Sequence, residues 1–431
     1  MKYYSINSPS QYVTLKEAVL RGLAPDKGLY LPEFIPQLPA SFYEKLPNLS
    51  LQEIGFEVLK PYFCPDISEK RFQEIVNEAL NFPIPTHKVS NHIYSLELFH
   101  GPTCAFKDVG ARFMARILAE FRDNIEKDIN ILVATSGDTG SAVANGFIGV
   151  PGIQVFVLYP KGLVSDVQEK QFTTLGQNIT ALEVDGTFDD CQRMVKEAFM
   201  DADLNAKLVL TSANSINLAR LLPQMVYYFS GLAQLFKQGY KDVTLCVPSG
   251  NFGNITAALI AHQMGLPVKK FIAATNLNDI VPQYLETGTY TPRQSVSTIA
   301  NAMDVGDPSN FIRFQTLLGS NYNLIKEKLT SIAFTNDQIK DVVSSVYSKT
   351  GYILDPHGAT AYGAIELLCD INEPSLFVET AHPAKFPETV EPIINKKIQV
   401  PVQLEKFLIG IKSSLPMYNT FDSLKKYLMT R

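Results

Sequence analysis

Apolar residues change their spacing along the chain, and the changes mark out its elements. From Lys107 to Phe121 the spacing is helical: Val109, Phe113 and Ile117 share one stripe, with Met114, Leu118 and Phe121 beside it. Short apolar runs of buried-strand length follow at Ile131–Thr135, Ile153–Leu158, Ile179–Val184, Val209–Thr211, Val243–Val247, Phe271–Ala274 and Leu376–Thr380. Helical stretches separate them: one through Val143 and Phe147, Gln168–Leu175, Phe188–Phe199, a long one from about Ile216 to Phe236, and Ile255–Met264. Thr187, or an aspartate beside it, is placed to cap Phe188–Phe199. Thr335 and Gln338 have the form of a capping box for a helix through Val343 and Tyr347. Alternating strands and helices predict an α/β fold of parallel sheets with helices on both faces.

Residues 1–90 break this rhythm. A short helix is predicted at Leu15–Leu23, then Pro32, Pro36 and Pro39 interrupt. Two further helices are predicted near Leu51–Phe63 and Ser68–Leu80, and Pro83 and Pro85 end the stretch. It reads as a separate, mainly structural module. The segment from Ile398 onward reads as peripheral. With 431 residues, the chain exceeds what one core holds.

Composition narrows the function classes. A net charge of -5 leaves no basic surplus for nucleic acid, and no polybasic or membrane-length apolar stretch occurs. The N-terminus lacks a signal-peptide core. The five cysteines, Cys64, Cys104, Cys191, Cys246 and Cys369, form no CxxC pair, and the histidines show no HExxH spacing. Free thiols in the cytoplasm are expected, with no metal site.

Chemistry gathers at a few loops. In residues 100–108, Gly101 and Pro102 make a turn and Lys107 stands where the loop enters a buried helix. Partial burial there disfavours the ammonium and favours a Schiff-base nucleophile; the plain alternative is a solvated lysine. The turn Ser249, Gly250, Asn251, Phe252, Gly253, Asn254 lies between strand and helix. Its amides at a helix start suit a phosphate, with Ser249 and the asparagines as further donors, unless it is an ordinary turn. It is neither a Walker loop nor a GxGxxG fingerprint. A second such turn, Ser136, Gly137, Asp138, Thr139, Gly140, suits a carboxylate, with Asp138 either a helix cap or a contact to a positive or hydroxyl group. In residues 214–220, Ser215 and Asn217 are caps or ligands, and Arg220 falls one turn after Asn217. Ser215 and Arg220 together suit a phosphate; the alternative is a surface arginine. Thr380 offers a hydroxyl at a strand's carboxyl end. His382 is a ligand contact or a loop histidine, and Asp355 or His357 a helix-start residue.

Five stretches in order, residues 100–108, 135–140, 214–220, 248–254 and 380–386, resemble the threonine synthase family, in its group with a separate N-terminal module. The likeness spans nearly the whole chain. It implies the pyridoxal-phosphate fold type II, tryptophan synthase β-like: two open parallel-sheet α/β domains plus a small N-terminal module at 1–90. The catalytic region would be 91–431, with a smaller mobile α/β subdomain at about 130–215 that closes over substrate. The implied reaction turns O-phosphohomoserine and water into threonine and phosphate, by γ-elimination and then β-addition of water. By the same resemblance Lys107 holds pyridoxal phosphate and shuttles protons. The Ser249–Asn254 turn takes the cofactor phosphate and Thr380 the pyridine nitrogen. Ser136, Gly137, Thr139 and Gly140 take the substrate carboxylate, and Ser215, Asn217 and Arg220 the substrate phosphate end. Related fold type II enzymes often carry asparagine where Asp138 stands, against the cofactor's 3-hydroxyl. An aspartate there repels a phenolate unless one is protonated, which leaves its role open. A small-molecule substrate is implied, with monomer and homodimer both open. Two alternatives stand beside this reading. A serine or threonine dehydratase would need no second phosphate pocket, so Arg220 discriminates. A non-catalytic relative would not need Lys107 and both glycine turns.

Overall fold

The buried apolar runs form the strands of two largely parallel sheets. The computed structural model describes residues 1–122 and 127–430. Their described residues fall into two units, each drawn from separated stretches. Met1–Leu31, Lys107–Arg220 and Val400–Arg431 supply the first; Pro32–Phe106 and Leu221–Gln399 supply the second. Residues 1–31 belong to the first unit and residues 32–90 to the second, and residues 130–215 belong to the first.

The first unit holds a five-stranded sheet. Its edge-to-edge order is Leu415–Tyr418, Ile179–Asp185, Ile153–Pro160, Ile129–Ala134, Val209–Ser212, all neighbours parallel. Leu132, Phe156 and Leu182 from the strands pack with Met194 and Leu424 from the helices. The edge strand Leu415–Tyr418 corrects the expectation that the C-terminal segment is peripheral, since Met417 joins this core. Only Met417 of its four residues is buried, so no apolar run announced it.

The second unit holds a six-stranded sheet. Its order is Leu329–Ala333, Lys270–Thr275, Thr244–Pro248, Ser375–Glu379, Ile93–Glu97, Thr86–Ser90. The last pair is antiparallel and the rest are parallel. Thr86–Ser90, Ile93–Glu97 and Leu329–Ala333 were not among the predicted strands. The first and last lie at edges and bury one residue each, so their sequences carry no continuous apolar signal; Ile93–Glu97 is interior, but its buried run of three is interrupted by the polar Ser95.

Helix caps follow the expected chemistry: Thr187 with Asp190, and Thr335 with Gln338, form capping boxes. The long helix expected at 216–236 is broken. It runs as Leu218–Leu221, a 3-10 turn at Leu222–Gln224, then Met225–Lys237. Pro223 lacks the N–H that a continuous α ladder needs. Residues 3–32 also hold a small sheet, ordered Ser8–Val13, Tyr3–Ser5, Tyr30–Pro32, which the pattern did not predict. Among the described residues no helix is long and apolar enough to cross a membrane, and the five cysteines are free.

Each large sheet has one point where the strand order reverses. In the first unit the chain leaves Ile129–Ala134 toward Ile153–Pro160 and later returns to Val209–Ser212 on the other side. In the second it leaves Thr244–Pro248 toward Lys270–Thr275 and returns to Ser375–Glu379 on the other side. Open α/β sheets bind ligands beyond the carboxyl ends of strands at such points.

Candidate functional site

In the second unit the reversal brings two expected site segments side by side. Cys246 pairs with Phe377 on adjacent parallel strands, and Ser249 and Thr380 each directly follow the carboxyl end of one of these two strands. Both hydroxyl residues therefore stand at the strand ends where open α/β sheets bind ligands. Ser249 is pinned by its N–H to Ala274 O at 2.8 Å, and its Oγ donates to Val247 O at 3.0 Å. Phe252, at φ +59°, is the left-handed N-cap of the Gly253–Gln263 helix and gives it no side-chain cap. Phe252 therefore puts no side chain over the amides of the helix start, where an anion site is built, and of these Ile255 N–H is taken by Asn254 Oδ1.

The loop's asparagines also brace the loop. Asn254 donates to Pro248 O at 2.8 Å and accepts from Ile255 N–H at 2.9 Å, while Asn251 Oδ1 accepts from Ser309 N–H at 2.6 Å. Gly250 is required by a close approach: a Cβ there would lie 2.6 Å from Met303 Cα. Asn310 N–H donates to Asn251 O at 3.2 Å, and the fully buried Arg313 donates to Asn310 Oδ1 at 2.8 Å. Burial lowers its pKa to about 9, which leaves it charged at neutral pH.

Thr380 is tied to the segment that leads into Lys107. Phe106 N–H donates to Thr380 O at 2.8 Å, and the Tyr227 hydroxyl donates to Phe106 O. His382 N–H donates to Cys104 O at 3.0 Å, and the buried Lys385 Nζ donates to Thr103 O at 2.9 Å. Lys107 is the next residue after Phe106. His382 takes the structural role: its Nδ1 accepts from Ala384 N–H at 3.1 Å and its ring meets Phe99 edge-on. Burial, and then His100, push its pKa down to about 4, so it is neutral. Glu379, just before Thr380, is fully buried; burial first and Asp355 second raise its pKa well above the carboxylate range.

In the first unit Lys107 is half-buried and opens the helix Lys107–Phe121. Arg220 is 4% exposed, which excludes the surface-arginine reading. Its Nη1 donates to Ala213 O and its N–H donates to Asn217 O at 3.0 Å. A Cβ on Gly110 would stand 3.1 Å from Arg220 Nε, so the guanidinium stem lies against the first turn of the Lys107–Phe121 helix. Asn214 Oδ1 is buried with no hydrogen-bond partner among the described residues. Asn217, expected as a ligand or cap, is a buried cap: its Oδ1 accepts from Ala219 N–H at 3.0 Å, in the first turn of the Leu218–Leu221 helix. It also braces the fold, donating to Val19 O at 2.8 Å and Ser212 O at 3.3 Å.

Leu132 pairs with Ser212 on adjacent parallel strands, and Thr135 and Ser215 both lie past the carboxyl ends of those strands, at the first unit's reversal. Thr135 organises the turn that follows it. Its Oγ1 accepts from Gly137 N–H at 2.9 Å and Gly140 N–H at 2.8 Å. Those two amides, expected among the carboxylate donors, are used inside the loop; the half-buried Ser136 and Thr139 carry the hydroxyls. Gly137, at φ +142°, is the N-cap of the Asp138–Phe147 helix, so Asp138 is not the cap. Asp138 is 3% exposed and accepts from Gln168 Nε2 at 2.8 Å. Gln168 and Arg313 were not foreseen, and His357 was expected only as a helix-start residue; Gln168 and His357 bond loops far away in sequence, and no local pattern marks such a partner.

Comparison with known proteins places these features. The family described as "Pyridoxal-phosphate dependent enzyme" matches residues 79–377, and that described as "Threonine synthase N terminus" matches residues 2–80. The chain is 44% identical over 429 residues to a threonine synthase of Haemophilus influenzae, with 100% of both chains covered. It superposes on the crystal structure of threonine synthase from Escherichia coli with a TM-score of 0.93 at 39% identity, covering 100% of both chains. A pyridoxal-phosphate-bound threonine synthase from Brucella melitensis gives 0.92 at 35% identity, covering 100% of this chain and 99% of that one.

Proposed function

Because the chain belongs to the threonine synthase family of pyridoxal-phosphate-dependent enzymes, of fold type II, and makes threonine, we propose that residues at its two strand-order reversals divide cofactor and substrate between them. The substrate of this reading is O-phosphohomoserine, which with water gives threonine and inorganic phosphate.

The residues present suit the cofactor. A helix start with no side-chain cap and the buried Ser249 suit its phosphate. The loop Ser249–Asn254 would hold that group, with Arg313 adding positive charge. Thr380 would hydrogen-bond the pyridine nitrogen. Asp138 is assigned to the ring's hydroxyl side, with Gln168 fixing the direction of its carboxylate. Lys107 would hold the aldehyde. When bound, pyridoxal phosphate supplies an electron sink for negative charge developing on the substrate carbons.

The chain's own groups do the rest. The Lys107 amine moves protons at the substrate's Cα and Cβ. The hydroxyls of Ser136 and Thr139 orient the substrate carboxylate, and Gly137 and Gly140 shape their turn. Arg220, Ser215 and the unsatisfied Asn214 side chain grip the substrate phosphate as it leaves Cγ. Asn217 fixes the backbone that carries them. Water then adds at Cβ.

The buried Arg220, held against the helix that Lys107 opens, carries the choice of a phosphorylated substrate. A dehydratase acting on free serine or threonine has no use for it. Five cysteines without a disulfide suit work in the cytoplasm. The test is to supply O-phosphohomoserine and measure phosphate and threonine together. Equal amounts of both support the reading; phosphate without threonine, or faster turnover of free serine, opposes it.

A further inference from the structure

The Gly250 end of the anion loop is walled by a 3-10 turn, Asn301–Met303. The two are in tight contact, since a Cβ on Gly250 would meet Met303 Cα at 2.6 Å and Ala302 O at 3.1 Å. One side chain holds that turn from behind. Ala302 N–H donates to His357 Nε2 at 3.2 Å. A ring nitrogen that accepts carries no proton, so the proton of the neutral ring sits on Nδ1. Nδ1 donates to Asp355 Oδ1 at 2.5 Å. Asp355 is itself fixed as the cap of the Pro356–Leu368 helix. It accepts from the N–H of His357 at 2.8 Å and of Gly358 at 3.3 Å.

Capping needs Asp355 alone, and an apolar residue at 357 would fill the space beside Phe386, whose ring centre is 5.1 Å away. His357 and Asp355 are 1% and 0% exposed, so solvent orients neither. What the imidazole adds is one directed bond to the turn that touches Gly250.

We propose that His357 is a positioning residue for the anion loop: through Ala302 it holds the Asn301–Met303 turn against Gly250, and so keeps Ser249–Asn254 in the shape that takes the cofactor phosphate. This rests on the assignment of that loop to the cofactor phosphate.

Pyridoxal and pyridoxal phosphate differ only in the phosphate. The ratio of their dissociation constants therefore reads the loop and cancels effects elsewhere in the site. It is measured by absorbance titration of the full-length apoprotein. His357→Leu and His357→Gln make a pair of similar size, and only the glutamine keeps an acceptor for Ala302. The leucine variant is expected to shrink the phosphate preference roughly tenfold, the worth of one directed hydrogen bond, and the glutamine variant to keep most of it. Gly250→Ala, which pushes on Met303 directly, is expected to shrink it too. If Gly250→Ala shrinks the preference and His357→Leu does not, the positioning role is wrong and the loop assignment stands. If Gly250→Ala leaves it intact, the loop assignment fails and the positioning role with it. Equal losses in both His357 variants overturn the role of the acceptor. Should the leucine variant not fold, a full tenfold loss in the folded glutamine variant overturns the role, and retention supports it.

Discussion

Arg220 and Gly110 are packed so closely that a methyl group on Gly110 needs Arg220 to give way by a few tenths of an ångström. A Cβ on Gly110 would stand 3.0 Å from Arg220 O and 3.1 Å from Arg220 Nε. Gly110 lies three residues after Lys107 on the same helix, which puts the two on one face. The helix that presents the amine thus also sets the guanidinium.

Gly110→Ala is expected to displace Arg220 while leaving Lys107 in place. Overpacking by one methyl costs about 1–3 kcal/mol. KM for O-phosphohomoserine should rise by roughly tenfold or more, with the affinity for pyridoxal phosphate unchanged. Steady-state kinetics beside a cofactor titration separates the two; parallel losses in both would place the fault in the helix as a whole.

Arg220→Met removes the proposed phosphate grip outright. A charge-assisted contact of this kind is worth about 2–5 kcal/mol, so kcat/KM for the phosphorylated substrate should fall by between 30-fold and several thousandfold, roughly. Arg220→Lys should recover little, because a lysine cannot make the planar two-pronged contact. Slow turnover of unphosphorylated amino acids should change little. A variant equally weak on both substrate types would argue for a dehydratase-like site.

Asn217→Ala tests a brace against a ligand. The change removes two donated bonds and one accepted bond at a fully buried site. The expected loss is about 2–4 kcal/mol of stability, with KM for the protein that remains folded nearly constant. Urea unfolding followed by kinetics reads both. Undiminished stability with a raised KM would return Asn217 to the substrate.

His382 makes stability depend on pH in a stated direction. Its folded pKa is depressed to about 4 by burial and then His100, with Glu97, Asp355 and Lys385 also acting on it. Free histidine titrates near 6.5, so between about pH 4 and 6.5 the unfolded chain binds the extra proton. The contribution is whole above about pH 6.5 and is lost as pH falls toward 4, by at most about 3 kcal/mol. His382→Asn keeps an acceptor for Ala384 and cannot titrate, so its unfolding free energy should vary less between pH 7 and 5. An unaltered slope would assign the pH dependence to other groups.

The parts legible in the sequence are those where chemistry is local. Ile131–Leu132 or Val155–Leu158 could only be buried strand, and the polar glycine turns behind them could only stand at strand ends. The edge strands Thr86–Ser90 and Leu415–Tyr418 were illegible because half-exposed backbone needs no apolar run. Loop residues could be found but not given their tasks. Whether the Gly137 amide meets a substrate or Thr135, and whether Asn254 faces a phosphate or Pro248, depends on how the loop closes. Gln168 reaches Asp138 across 30 residues and His357 reaches Ala302 across 55, distances over which one sequence shows no pattern.

The most direct measurement is to load the protein with pyridoxal phosphate, reduce it with borohydride, digest it and locate the modified lysine by mass spectrometry. The expected result is a single label, on Lys107. A label on another lysine, or an active protein that carries none, contradicts it.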